Sequence, residues 1–126
     1  MDPQPTPPPA WLYEYRAKVT EVYDGDTITC DIDLGFGVWK HSEKIRLFGI
    51  DSPEVRGATR EAGLRTRDEL RRRILGRDVL IRTHKDEREK YGRYLAEVLV
   101  WNGQARDWRN VNEELVTEGL AVPAEW

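Results

Sequence analysis

Hydrophobic and polar residues alternate one by one between positions 27 and 34, a pattern typical of a β-strand with one buried face. The apolar face carries Ile28, Cys30, Ile32 and Leu34. Asp26 directly precedes this strand and is in phase with its apolar face, so we expect its carboxylate to point inward. A buried carboxylate without a partner is costly, so Asp26 should be near a cation or a hydrogen-bond donor.

The rest of the pattern predicts four more strands, at 13–23, 38–50 (bent at Gly49), 79–83 and 94–101, and helices at 57–75 and 111–118. In the first helix, Thr59 is a candidate N-cap and Gly76 follows the end. Its inward stripe is predicted to be Ala62, Thr66, Leu70 and Ile74, with the arginines mostly outside it. Asn110 and Glu113 resemble a capping box for the second helix.

Five strands, a helix between the third and fourth, and a short C-terminal helix predict an α+β fold that is mostly β. The architecture expected is a five-stranded Greek-key barrel of the oligonucleotide/oligosaccharide-binding type, an OB-fold. This domain should span residues 13–126. Residues 1–12 are expected to be a disordered tail, because five of the seven prolines lie in the first ten positions. A ligand role for a proline-recognition domain is the alternative for this tail.

Three segments concentrate the charged groups that suit chemistry on phosphates. They are residues 24–27 (Asp-Gly-Asp-Thr), 46–54 (Arg-Leu-Phe-Gly-Ile-Asp-Ser-Pro-Glu) and 90–96 (Lys-Tyr-Gly-Arg-Tyr-Leu-Ala). Carboxylates brought together repel each other unless a cation holds them, and hard divalent cations prefer oxygen ligands. Arginine binds phosphate through paired, charge-assisted hydrogen bonds. The combination indicates metal-assisted phosphoryl chemistry.

Each segment also has an ordinary structural interpretation. Tetrapeptides such as Asp-Gly-Asp-Thr at 24–27 occur in many turns. Residues 51–54 could form the turn that leads into a helix, where the helix dipole favours acidic residues. Arg46 could form a sheet-edge salt bridge, and Arg93 could be a solvated side chain. Eight arginines lie between residues 56 and 77, and these could simply form a solvated helix face.

Composition narrows the possible classes. The chain has 126 residues, enough for one domain, and no apolar run long enough to cross a bilayer. It has no signal segment, which favours a cytoplasmic protein, although secretion of a longer form stays open. One cysteine excludes an internal disulfide, and two histidines argue against nucleases built on histidine. The net charge of −3 favours a small active-site footprint over a long non-specific nucleic-acid groove.

The order and spacing of the three segments resemble the staphylococcal nuclease (thermonuclease-like) family, over roughly residues 15–122. The resemblance implies a Ca²⁺-dependent endonuclease that hydrolyses DNA and RNA with low sequence specificity and leaves 3′-phosphates. It also implies roles for single residues. Asp26, Asp51 and the Ser52 carbonyl would bind Ca²⁺, and Asp24 would support them from behind. Glu54 would orient or deprotonate the attacking water.

By the same resemblance, Arg46 and Arg93 would hold the scissile phosphate, and Lys90 and Tyr91 would bind a terminal phosphate. Glu125 or Trp126 stands where some family members stack a tyrosine on the base, and residues 104–109 look like an insertion. The expected partners are DNA and RNA, with single strands preferred, and the expected state is a monomer. The alternative function is an inactive or weakly active nucleic-acid-binding or scaffold module of the same fold, and a weaker one is an interaction domain using the tail and exposed tryptophans.

Overall fold

A computed structural model describes residues 12–125, except for the side chains at positions 12 and 84–87. The predictions for the proline-rich tail, for Trp126 and for the domain boundary lie outside these residues. Within them the chain forms β1 (Leu12–Val22), β2 (Thr27–Gly35), β3 (Val38–Leu47), β4 (Ile50–Asp51), α1 (Arg60–Ile74), β5 (Asp78–Arg88), β6 (Tyr94–Asn102), β7 (Asp107–Asn110), α2 (Val111–Thr117) and β8 (Val122–Pro123). Neither helix in this part of the chain is long and apolar enough to cross a membrane.

Five of the strands close into a barrel. The sheet order is β3-β2-β1-β5-β6-β7 with antiparallel neighbours, and a parallel pairing of β3 with β6 joins the two sides. That pairing aligns Ile45 with Tyr94, Arg46 with Leu95 and Leu47 with Ala96. The predicted mostly-β barrel with its helix before the fourth barrel strand is confirmed. The pairing also brings Arg46 next to the strand that follows Arg93.

The alternation in β2 predicts its buried face well. Ile28, Cys30 and Ile32 are buried, whereas Leu34 is 45% exposed because it lies at the tip of the β2–β3 hairpin. In β6, the predicted inward residues Ala96, Val98 and Val100 are buried as well. Burial raises the pKa of the Cys30 thiol to about 12, with the Asp31 charge adding to the effect. This cysteine is therefore a core residue without thiolate chemistry near neutral pH.

Helix α1 differs from its prediction in two ways. It begins at Arg60 after a 3₁₀ turn at Gly57–Thr59, and the Thr59 hydroxyl donates to the Glu54 carbonyl oxygen (3.0 Å) instead of capping the helix. The inward stripe was wrong at Ala62, which is exposed. Gly63 is buried in its place, because the chain at residues 53–54 passes directly over it.

Arg73 is a further exception to the expectation that the arginines lie outside the stripe. Its side chain is 5% exposed and pairs with Glu118 at 2.7 Å, with weaker contacts to Glu69 and Glu114. This group of charges joins α1 to α2. The charged guanidinium can be buried because three carboxylates surround it.

The segment 104–109, expected to be an insertion, contains part of β7. Residues of β7 pair with β6 in a hairpin, and the rings of Trp101 and Trp108 meet edge to face with centroids 5.4 Å apart. The predicted cap of α2 is confirmed, since the Asn110 side chain accepts a hydrogen bond from the Glu113 amide at 3.2 Å. The predicted third strand ends at Leu47, and the bend at Gly49 (φ +79°) leads into the short β4.

Candidate active site

The three charged segments meet at one end of the barrel. Thr27 and Arg46 face each other across the β2–β3 pairing, and the Leu47 amide donates to the Asp26 carbonyl oxygen at 2.8 Å. Arg46 also lies opposite Leu95 in the parallel pairing, two residues after Arg93. Barrel closure therefore brings together residues that are far apart in sequence.

Arg46 lies between two of the predicted metal-binding carboxylates. Its side chain is only 6% exposed, and Nη1 pairs with Asp26 Oδ2 at 3.0 Å while Nη2 pairs with Asp51 Oδ1. Asp26 is 11% exposed and Asp51 56%, so the pair reaches from the interior to the surface. A buried guanidinium needs such partners, because an unpaired buried charge costs several kcal/mol.

The Thr27 hydroxyl joins the second predicted arginine to this cluster. It donates to Asp26 Oδ1 at 3.2 Å and accepts from Arg93 Nη1 at 3.0 Å. Arg93 is held from its other side by Glu89, through Nε to Oε1 (3.0 Å) and Nη2 to Oε2 (3.1 Å). Sequence reasoning gave no role to Thr27 or Glu89, although both belong to or adjoin the segments it singled out.

Two carboxylates around the cluster have pKa values far from their ordinary ones. Hydrogen bonds from the Arg93 side chain lower the pKa of Glu89 to about 2, and the same pairing raises the pKa of Arg93. Burial, together with the neighbouring charge of Asp26, raises the pKa of Asp24 to about 6. Asp24 Oδ1 also accepts a hydrogen bond from the Asp26 amide at 3.0 Å. Negative charge is therefore in excess at Asp24 and Asp26, and compensated at Glu89.

The remaining predicted site residues surround this network without all joining it. The Ser52 amide donates to Asp26 Oδ2 at 2.9 Å, so Ser52 is fixed beside the acid. Lys90 Nζ and the Arg93 guanidinium lie 5.1 and 5.6 Å from the centre of the Tyr91 ring. The Glu54 carboxylate is exposed and has no ion pair or hydrogen bond to any described residue. Its position next to the cluster comes from the chain, three residues after Asp51.

Helix α1 supports both acidic segments at close range. A Cβ at Gly63 would lie 2.2 Å from the Glu54 carbonyl oxygen, and a Cβ at Gly25 would lie 2.4 Å from Thr66 Cγ2 and 2.6 Å from Ser52 Cβ. These distances are far below van der Waals contact, so only glycine fits at either position. The two glycines let the turn at 24–26 and the segment 51–54 pack against the same helix.

The donor set suits a hard divalent cation. Asp26 accepts three hydrogen bonds at about four lone-pair positions, from Thr27, Ser52 and Arg46, and Asp51 Oδ2 accepts none from the described residues. Asp24, Asp26 and Asp51 together outnumber the single guanidinium of Arg46. Carboxylate and carbonyl oxygens are the ligands that Ca²⁺ prefers. The described part of the chain contains no group of three or more His, Cys, Asp or Glu side chains that could hold a metal. The predicted site has only two carboxylate ligands, and its third ligand is a backbone carbonyl.

Comparison with known proteins shows what the chain is similar to. Residues 44–126 match the family model described as staphylococcal nuclease homologue, which includes Arg46, Asp51, Glu54 and Arg93 but not Asp26. The chain is 35% identical to Protein ParB of Escherichia coli over 116 residues (90% of this chain, 59% of that protein). It is 33% identical to the thermonuclease of Staphylococcus hyicus over 111 residues (86% and 59%).

A third relative is an uncharacterised protein of Methanocaldococcus jannaschii, 28% identical over 128 residues (85% of this chain, 58% of that protein). The chain thus spans under two thirds of the length of each of these three relatives. The family model alone covers well over half of the chain. The chain therefore belongs to the staphylococcal nuclease homologue family.

Proposed function

We propose that this protein is a Ca²⁺-dependent nuclease that hydrolyses phosphodiester bonds in DNA and RNA with low sequence specificity and leaves 3′-phosphates. The observation that carries the proposal is the hydrogen-bonded chain from Asp51 through Arg46, Asp26 and Thr27 to Arg93. It links cation-binding oxygens to two guanidiniums at one end of the barrel. The S. hyicus relative is named a thermonuclease, which supports the same activity.

In this proposal, Asp26, Asp51 and the Ser52 carbonyl hold Ca²⁺, with Asp24 behind them. Bound there, the cation would supply positive charge to the oxygens of the phosphate. Arg46 and Arg93 bind the scissile phosphate. Carboxylates hold both guanidiniums in place, and the Thr27 hydroxyl also contacts Arg93. Charge develops on the phosphate oxygens in the transition state, so fixed guanidiniums stabilise that state more than the ground state.

Glu54 is assigned to the attacking water, which it orients or deprotonates. Its carboxylate is exposed and has no described partner, so it can reach a water bound near Asp51. Lys90 and Tyr91 bind a terminal phosphate beside Arg93, where the exposed Tyr91 ring is available to a substrate. Preference for single strands, a monomeric state and a cytoplasmic location stay predictions.

The test is digestion of single-stranded DNA, duplex DNA and RNA with Ca²⁺ and with a chelator, followed by mapping of the product ends. We expect Ca²⁺-dependent cleavage with 3′-phosphate ends. Glu54→Gln and Arg93→Gln should each lower the rate by about 10²-fold or more. The controls Glu61→Gln and Arg65→Gln remove charges of the same sign from exposed positions and should retain the wild-type rate.

Two results would contradict the assignment. Folded wild-type protein that never cleaves with Ca²⁺ is not this nuclease, and binding of nucleic acid without cleavage would instead favour the scaffold module. Cleavage at wild-type rates by both site variants would show that the phosphate and water roles belong to other residues. Circular dichroism of each variant separates these results from unfolding.

A further inference from the structure

A cavity of about 290 Å³ adjoins the candidate site. Its lining includes Arg93, Asp24, Lys44 and Tyr23. Tyr23 follows β1 directly and is 55% exposed, so it lines the cavity and is also open to solvent. Tyr23 therefore lies where the cavity that Arg93 also lines opens to solvent.

Several arginines lie on the protein surface next to Tyr23. Arg56 Nη2 lies 3.5 Å from the Tyr23 hydroxyl oxygen, and Arg71 donates from Nε and Nη2 to the Val22 carbonyl oxygen at 3.2 and 3.0 Å. The second contact fixes which side of α1 faces the end of β1. Arg60 and Arg67 lie on that same side, because residues 60, 67 and 71 fall within about 40° of one another around a helix. We call Arg56, Arg60 and Arg67 the arginine flank.

Two of the three arginines of the flank carry positive charge that no described carboxylate compensates. Among the described residues, Arg60 has no ion pair, Arg56 contacts only the neutral Tyr23 hydroxyl, and Arg67 is paired with Asp68. Two acids, Asp24 and Glu21, also line the cavity itself. Along α1, Arg60 and Arg67 are about 10 Å apart, so the flank lengthens the positive surface beyond Tyr23.

We propose that a single-stranded nucleic acid held at Arg93 continues across Tyr23, with one base stacked on its ring, and along the arginine flank, where Arg56 and Arg60 contact phosphates. This inference rests on the proposed function and names the path of the substrate beyond the cleaved bond. An exposed aromatic ring next to arginines is the combination that binds unpaired bases without sequence preference. A duplex would not offer Tyr23 an unstacked base.

The helix provides a matched control for the flank. Arg65 is exposed and without an ion pair among the described residues, like Arg60, but it lies about 140° around the helix from it. Arg60→Glu and Arg65→Glu therefore make the same change of charge on the same helix, on different sides. Binding that depends only on net charge would weaken equally in both.

The experiment measures binding of a fluorescent 12-nucleotide oligothymidylate by anisotropy, in chelator so that no cleavage occurs, over a range of salt concentrations. We expect Arg60→Glu to bind several-fold more weakly and to lower the salt slope by about 0.7, for one phosphate contact. The double variant Arg56→Glu/Arg60→Glu should bind roughly 10-fold more weakly or worse and lower the slope by about 1.4, for two contacts. Arg65→Glu should stay close to wild type in both. Tyr23→Ala should lose at least about 5-fold in affinity, whereas Tyr23→Phe keeps the ring and should bind normally.

The outcomes separate this inference from the proposed function. The same wild-type preparation is assayed for Ca²⁺-dependent cleavage. Flank-dependent binding without cleavage would support the path and overturn the nuclease. Cleavage together with equal losses in Arg60→Glu and Arg65→Glu, or a wild type that does not bind the oligonucleotide at low salt, would overturn the path alone.

Discussion

Arg46 has two duties in this molecule. It neutralises Asp26 and Asp51 within the fold, and in the proposed reaction it binds phosphate. Its 6% exposure means that the first duty does not depend on substrate. A residue of this kind should be visible in stability measurements made without metal or nucleic acid.

We predict that Arg46→Gln lowers the free energy of unfolding by about 3 kcal/mol or more, because it leaves Asp26 buried without its cation. Urea denaturation in chelator measures this. Arg65→Gln, an exposed arginine on α1, should stay within about 0.5 kcal/mol of wild type. Equal stability of the two variants would mean that the Arg46 cluster contributes little to the fold.

Glu89 gives a pH-dependent prediction. Its pKa is about 2 in the folded protein, below its ordinary value of 4.5, because it accepts hydrogen bonds from Arg93. A lowered acid pKa stabilises the fold above the unfolded-state pKa, and this stabilisation is lost as pH falls through the folded-state value. The stability difference between wild type and Glu89→Gln should therefore be constant from pH 7 to 5 and narrow below about pH 4.5.

Unfolding free energies of the two proteins across this range provide the measurement. Glu61→Gln, which removes an exposed carboxylate with no partner among the described residues, is the control and should show no such difference. A difference between wild type and Glu89→Gln that already narrows between pH 7 and 5 would contradict the pairing of Glu89 with Arg93.

At the scale of elements, α1 packs closely against residues 53–54 at Gly63. We predict that Gly63→Ala destabilises the protein and lowers nuclease activity, although alanine is the better helix former by about 1 kcal/mol. The added methyl would meet the Glu54 carbonyl oxygen and displace residues 53–54. Thermal unfolding and cleavage rates of the variant give both readouts.

Ala62→Gly is the reciprocal control, one position earlier on the exposed side of the helix. There glycine should be the destabilising residue, by about 1 kcal/mol, with little change in activity. If Gly63→Ala instead stabilises the protein, the close packing of α1 against residues 53–54 is absent in solution.

The elements also show which parts of the fold are visible in sequence. Alternation located β2 and its buried face, including Asp26 before it, because a strand has a period of two. The stripe of α1 was placed one position off at Ala62, since a buried glycine has no apolar signal to count. β7 was missed because Asp107–Asn110 is short, polar and without alternation, and pairs only through its backbone and one tryptophan contact.

At the scale of the whole molecule, the charged residues could be predicted from the sequence, but the hydrogen bonds and ion pairs between them could not. Thr27 and Arg93 are 66 positions apart, and their hydrogen bond exists only once β6 has closed against β3. The cavity that Arg93 and Tyr23 both line depends on the same closure. Local patterns cannot report contacts that arise from the folding of the barrel as a whole.

The parallel pairing of β3 with β6 has a practical consequence. It is a seam between two halves of the chain, since the exposed turn at Gly57 separates the piece with Asp26, Arg46 and Asp51 from the piece with Arg93. Once the backbone is cut at that turn, only noncovalent contacts, such as the pairings of β3 with β6 and of β1 with β5, hold the two guanidiniums in one site. A chain cut there would form a complementation pair, in which nucleic-acid cleavage reports that two separate fragments have found each other.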